Sequence, residues 1–173
     1  MTFVCKVCGE AHEGLPDVGD DKPYYWYTLP PAERGGRAQL TEDTCVIDDR
    51  DFFIRGVLLL PLRDREDDFG FGVWVSQKRE NFERYVAEPR SAEIGPFFGW
   101  LSTELTYYAE STLGLKTMAH FRGGGSRPTI ELEQTDHPLS VAQREGITLA
   151  EAWEIVHFYS DGGEQTEGDG DTA

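Results

Sequence analysis

The sequence predicts an α+β fold: an antiparallel sheet arranged as a meander, a few short flanking helices, and a small Cys/His metal knuckle at the N-terminus. Three observations lead there. Two long β-branched and aromatic runs, Phe52 to Pro61 and Phe69 to Ser76, are separated only by the charged loop Arg63 to Asp68. Short segments with helix start signals follow the strand-like stretches. The first twelve residues hold Cys5-Lys6-Val7-Cys8-Gly9-Glu10-Ala11-His12.

The strands come first. Cys45 to Asp48 is short and apolar, and Asp49-Arg50-Asp51 after it reads as a turn. In the run from Phe69, the side chains of Phe69, Phe71, Val73 and Val75 fall on one face at period two, with Trp74 on the other. A six-residue connection is too short for a parallel crossover, so the two long runs must pair antiparallel. Leu115 to Phe121 and Thr129 to Glu133 are further strands, joined by the Gly- and Pro-containing turn 123–128.

Helix signals are local. Ser76 can cap a helix from Gln77 to Val86 that buries Phe82 and Tyr85 or Val86. Pro138 suits the first turn of a helix ending near Gly146. Thr148-x-x-Glu151 is a capping box that opens a last helix, Leu149 to about Tyr159, with Leu149, Trp153 and Val156 inward. Phe97 to Leu101 is an aromatic run without caps and reads as core.

Three units result: a Cys/His knuckle at 1–16 packed on the main domain, an α+β domain at 17–160 entered through a turn-rich segment, and a tail at 161–173. That tail has five acids, four Gly and no large apolar residue, so it cannot bury a core and is expected to be disordered.

Composition sets bounds on function. The 173 residues suit one domain, and 39% hydrophobic with 12% aromatic residues provides one core. No apolar run approaches the roughly 18 residues of a membrane-spanning helix, and the opening residues lack a basic-then-apolar signal. The expectation is therefore a cytoplasmic protein without a membrane partner. In a reducing compartment, three cysteines including one C-x-x-C favour metal or redox chemistry over a disulfide framework. The 32 acidic against 16 basic residues give −16, which argues against nucleic acid and leaves a basic protein as a candidate partner. General solubility explains the same charge more simply. Nothing in the sequence fixes an oligomeric state.

Cys5, Cys8 and His12 are candidate zinc ligands, because two thiolates two residues apart reach one ion from a tight turn and an imidazole completes part of a tetrahedron. Gly9 suits that turn. Cys45 is the first choice for the fourth ligand. A thioredoxin-like redox pair fits less well, since Gly9, Gly14 and Pro16 break any helix after Cys8. Two uncommitted buried thiols are the plainest alternative.

A second cluster is Asp136-His137 with His120, and Glu131 and Glu133 share one strand face. Together they would suit a metal-assisted hydrolase. A capping role for Asp136 or His137 ahead of Pro138, and a solvated face for the two glutamates, are the simpler readings. The sequence has no G-x-S-x-G, H-E-x-x-H, P-loop or G-x-G-x-x-G. The favoured function is a binding or interaction domain with a structural zinc and no catalytic residues. A metal-assisted hydrolase and an acidic immunity-type neutraliser of a basic protein are the alternatives.

With these phrases assembled, the chain resembles a bacterial family catalogued as domain of unknown function 2199. The likeness rests on C-x-x-C with His12, "CVID" at 45–48, "FFIRG" at 52–56, "GVWVS" at 72–76 and "NFERY" at 81–85, then "FGWLS" at 98–102, "RPTIELE" at 127–133 and "TDHPL" at 135–139. It runs in order from about residue 3 to residue 157. The resemblance implies that the Cys/His unit and the core form one architecture, and it assigns no activity.

Overall fold

A computed structural model describes residues 2–4 and 11–160, with backbone alone at 2–4 and 11–13. The expected acidic tail and the Cys5–Cys8 turn lie outside the described residues.

The centre of the fold is the predicted hairpin. Strands β6 (Asp51–Pro61) and β7 (Asp68–Gln77) pair antiparallel from Phe52↔Gln77 to Pro61↔Asp68. That register places Ile54 opposite Val75, Leu58 opposite Phe71 and Leu60 opposite Phe69 on one buried face. Fully burying such a side chain contributes about 1.5–3 kcal/mol, so this face dominates the stability of the sheet. Gly56 interrupts the row for a reason: a Cβ there would sit 2.6 Å from Cδ1 of Ile130, which fills the space instead.

The meander expectation holds in two pieces and fails at the joint. Strands β4 (Ala38–Leu40) and β5 (Thr44–Ile47) lead antiparallel into β6 and β7. Strands β8 (Phe97–Trp100), β9 (Lys116–His120) and β10 (Thr129–Leu132) form a second antiparallel series. The two series meet through a parallel contact, Thr129↔Val57, and the short β3 (Val18–Gly19) adds a second parallel pair against β7. The long excursion after β7 supplies the crossover that a parallel contact needs. β6 shares one edge between partners, with β5 covering its first residues and β10 taking over at Val57. Chain beyond β8 then bridges back to β7 at Leu101↔Val75, and the Ser102 N–H donates to the Trp74 carbonyl at 2.8 Å. The order β7-β6-β10-β9-β8 thus curls into a nearly closed ring around Phe69, Phe71, Val73 and Leu101.

Helix α3 (Arg79–Ala87) begins later than expected, because Ser76 and Gln77 remain paired with β6 and Lys78 is the cap residue. Phe82 and Tyr85 are buried as anticipated, whereas Val86 is 53% exposed. Helix α4 (Pro138–Glu145) starts at its proline, with the His137 side chain accepting from the Leu139 N–H. The capping box of α5 (Leu149–Ser160) forms in both directions, Thr148 N–H to Glu151 at 2.6 Å and Glu151 N–H to Thr148 Oγ1 at 3.1 Å. Two one-turn helices, α1 (Tyr24–Tyr27) and α2 (Arg34–Arg37), lie in a stretch where no element was expected.

A smaller apolar cluster occupies the outer face of the hairpin, where Leu29, Cys45, Ile47, Phe53 and Trp74 pack together. Trp74 is fixed there by its Nε1–H to the Asp20 carbonyl at 3.0 Å and by its backbone N–H to Thr103 Oγ1 at 2.8 Å. The aromatic run at 97–101 is the clearest departure from expectation. It forms a strand whose Phe98 and Trp100 face outward, 40% and 47% exposed, because β8 lies at the end of the sheet and alternate side chains point away from the core.

Candidate functional site

Of the expected zinc ligands, Cys5 and Cys8 lie outside the described residues, as does the His12 side chain. The backbone of His12 sits in β2 (Ala11–Glu13), which pairs antiparallel with β1 (Thr2–Val4) through Val4↔Ala11 and Phe3↔His12. In the sequence, the C-x-x-C segment falls between these two strands. Cys45 lies opposite Phe53 with its thiol in the outer apolar cluster. Burial pushes that thiol up to about 12, so a cation would have to enter this cluster before Cys45 could ligate as a thiolate. Among the described residues, no group of three or more His, Cys, Asp or Glu side chains is placed to hold a metal.

The hydrolase residues divide. His120, Glu131 and Glu133 line one hollow of about 490 Å³ beside α4, and His120 Nε2 lies 3.7 Å from Glu131 Oε1. Neither Asp136 nor His137 lines it. His137 Nδ1 accepts from the Leu139 N–H at 3.0 Å, and its Nε2 faces the carbonyls of Ser111 at 3.1 Å and Glu110 at 3.3 Å. With Nδ1 an acceptor and Nε2 a donor, the neutral ring is fully used as a cap and tether. The hollow has its own structural occupant in Gln143, whose amide donates to the Ile130 carbonyl at 2.8 Å and accepts from the Leu132 N–H at 2.7 Å. Those are ladder groups of β10 left open where it diverges from β6.

Another concavity, about 520 Å³, lies at the end of the hairpin where α1, β6, β7 and β8 meet. Its lining combines the aromatic residues Tyr25, Phe52, Phe53 and Trp100 with polar and small ones. The Tyr25 ring, 42% exposed, stacks on Phe53 with centroids 5.7 Å apart and 22° between planes. Opposite in the chain's layout, Trp100 of β8 also lines it and packs edge-on against Phe98 at 5.2 Å. Tyr25 is brought there by α1, tied down where the Tyr24 N–H donates to the Ser102 carbonyl at 2.8 Å.

Backbone geometry holds Trp100 in place. Gly99 lets β8 lie directly on β7, since any Cβ at that position would collide with the Ser76 carbonyl oxygen. The Trp100 N–H then donates to Ser76 Oγ at 3.0 Å, and Ser102 Oγ donates to the Trp100 carbonyl at 3.0 Å. Both serines line the cleft, as does Gln77. The Gln77 Nε2 donates to the Ser76 carbonyl at 2.7 Å and reaches the Phe98 carbonyl at 3.4 Å, which fixes the amide's orientation. Its Oε1 is buried and has no hydrogen-bond partner among the described residues. An orphaned acceptor in a folded interior is uncommon and costs free energy.

The rim is electrically balanced. Arg50 lies 3.4 Å from Asp51, both in the lining, and Arg79 contacts Asp49 while its guanidinium sits 4.7 Å over Phe52. Nearby, Arg37 forks onto Asp48 at 2.9 and 2.7 Å and holds that carboxyl below the usual carboxylate range. Sequence reasoning missed this cleft. The signal it had was Gly99 between two aromatics, the pattern of an edge strand with outward rings, read instead as core.

These features define an α+β domain with a mixed sheet and an aromatic-lined cleft. The chain belongs to the family described as an uncharacterized protein conserved in bacteria, domain of unknown function 2199, which matches residues 4–147. No curated protein and no solved structure matches it. Among the described residues, no helix is long and apolar enough to cross a membrane.

Proposed function

We propose that the protein is a binding domain whose ligand site is the cleft lined by Tyr25, Trp100 and Gln77, with a structural zinc held by Cys5, Cys8 and His12 at its N-terminal ribbon. The observation that carries this reading is the concavity of about 520 Å³ in which two exposed rings, Tyr25 and Trp100, share the lining. Exposed Trp and Tyr offer large apolar area at little entropic cost. Concave, mostly apolar sites with a few fixed polar groups are the usual form of small-ligand sites, at about 300–1,000 Å³.

The zinc reading draws support from the β1–β2 ribbon, because both thiols fall between its strands in the sequence and His12 belongs to the second. Cys45 is better accounted for as a packing residue, which leaves the fourth ligand to a residue yet to be found or to water. The hydrolase reading loses support because His137 is committed to its cap. For the immunity-type alternative, the carboxylates around the cleft each have a guanidinium partner, which favours charge for solubility over a directed field.

The test is nitrogen-edited NMR of the full chain against a mixture of neutral ring compounds, following the four indole N–H signals. The proposal predicts saturable shifts at Trp100 and at the Gln77 amide. Shifts confined to the His120 ring, or absent at Trp100, would overturn it.

A further inference from the structure

Exposed apolar side chains are unevenly placed on this protein. Among the described residues, the large ones are Tyr25, Leu40, Val86, Phe98 and Trp100. Three of the five gather at the cleft. Tyr25 and Trp100 line it, and the Phe98 ring stands beside it, edge-on to Trp100 at 5.2 Å. Paired strands turn opposed side chains to one face, so Phe98↔Met118 and Trp100↔Lys116 carry this face onto β9. Exposed apolar residues that cluster in this way, unlike single ones, mark a surface that another molecule covers.

The surface is complementary to itself in shape and in charge. A projecting ring, Phe98, and a hollow of about 520 Å³ lie side by side. A two-fold axis beside them sets the ring of each copy into the hollow of the other, a closed and isologous contact. The ionic side chains that line the hollow or touch its lining are Arg50 with Asp51 and Arg79 with Asp49, two of each sign. The same axis lays this mosaic of signs on a second copy of itself, so no block of like charge is forced together. That matters in a chain of −16, whose copies repel one another on approach. Lys116 extends the balanced zone across β9, and acid returns only at Glu131 of β10, opposite Met118.

We propose that the occupant of the cleft is a second copy of this chain, with Phe98 of each copy seated against Tyr25 and Trp100 of the other. This rests on reading the cleft as the binding site and names what fills it. Aromatic residues at the centre and charged residues at the rim are the usual layout of a protein–protein contact.

The experiment follows the mass of the full chain by sedimentation equilibrium over a dilution series, with the Trp100 indole N–H read on the same samples. A monomer–dimer equilibrium with a dissociation constant in the micromolar to millimolar range is expected, and the indole shift should share its midpoint. Raising salt from about 0.05 to about 0.5 M screens the repulsion between copies and should tighten the dimer about threefold or more. N-acetyl-phenylalanine amide, a neutral copy of the Phe98 side chain, should compete with the dimer and saturate a shift at Trp100. Phe98→Ala should weaken the dimer about tenfold or more with circular dichroism unchanged, whereas Leu40→Ala, outside the cleft, should leave it as it was. The salt series and the amide use the native chain, so they decide the matter even where a variant folds poorly. A chain that stays monomeric at every salt while the amide still saturates Trp100 would overturn the second copy as occupant and leave the binding cleft standing. A monomer that the amide does not perturb would overturn both. A dimer unchanged in Phe98→Ala, or one that loosens as salt rises, would refute the proposal.

Discussion

Removing the amide of Gln143 should destabilise the fold by about 2 kcal/mol without disturbing the cleft. The side chain substitutes for a missing strand: it takes the Ile130 carbonyl at 2.8 Å and the Leu132 N–H at 2.7 Å, where β10 parts from β6. Ile130 and Leu132 are both buried core residues. Leaving two such backbone groups without partners costs about 1–3 kcal/mol each when fully dry. The adjoining 490 Å³ hollow admits water to this edge, which brings the sum towards the low end. Gln143→Met keeps most of the methylene volume and loses only the hydrogen bonds, so it separates polar loss from packing loss. For a chain of this length the shift corresponds to roughly 4–8 °C in Tm. Urea unfolding followed by circular dichroism would measure it, with the m-value unchanged. A change below about 0.5 kcal/mol in Gln143→Met would show that β10 does not depend on this side chain and would refute the reasoning.

Other outcomes follow from the same geometry. Thiol titration of zinc-loaded native protein should find no reactive cysteine, metal removal should expose Cys5 and Cys8, and only unfolding should expose Cys45; a native Cys45 that reacts would contradict its burial. Because the folded Cys45 thiol titrates near 12 and the unfolded one near 9.0, its contribution to stability should be complete below about pH 9 and fall as pH rises towards 12; a Cys45→Ala variant should lack that component of the alkaline loss. Gly99→Ala should separate β8 from β7, and a variant with an unchanged Trp100 indole signal would refute the close approach. Thr148→Ala should cost about 1 kcal/mol through loss of the capping box, read by the same urea titration.

Much of the sheet was legible because its residues obey one period. Phe69, Phe71, Val73 and Val75 alternate with Gly70, Gly72, Trp74 and Ser76, and the short loop before them left only an antiparallel partner. The caps at His137 and Thr148 were equally readable, since each depends on neighbours within three residues. What the sequence did not disclose was the joining of distant segments. Val57 meets Thr129 in parallel, and Leu101 meets Val75, through contacts with no local signal. The cleft depends on those long-range contacts, bringing Tyr25, Gln77 and Trp100 together from three parts of the chain. It could not be seen in any one segment, and the aromatic run that carries Trp100 looked like core because its exposure is set by its place at the end of the sheet.

The most direct test of the binding-cleft account pairs stability with binding in Trp100→Ala. Trp100 is 47% exposed and its backbone, not its ring, makes the contacts to Ser76 and Ser102. Truncation should therefore leave Tm within about 2 °C, as for exposed positions whose effects stay within about 0.5 kcal/mol. The saturable shift of the Gln77 side-chain amide on adding neutral ring compounds should disappear. A variant that keeps its Tm and still shows that shift at the same concentrations would contradict the account.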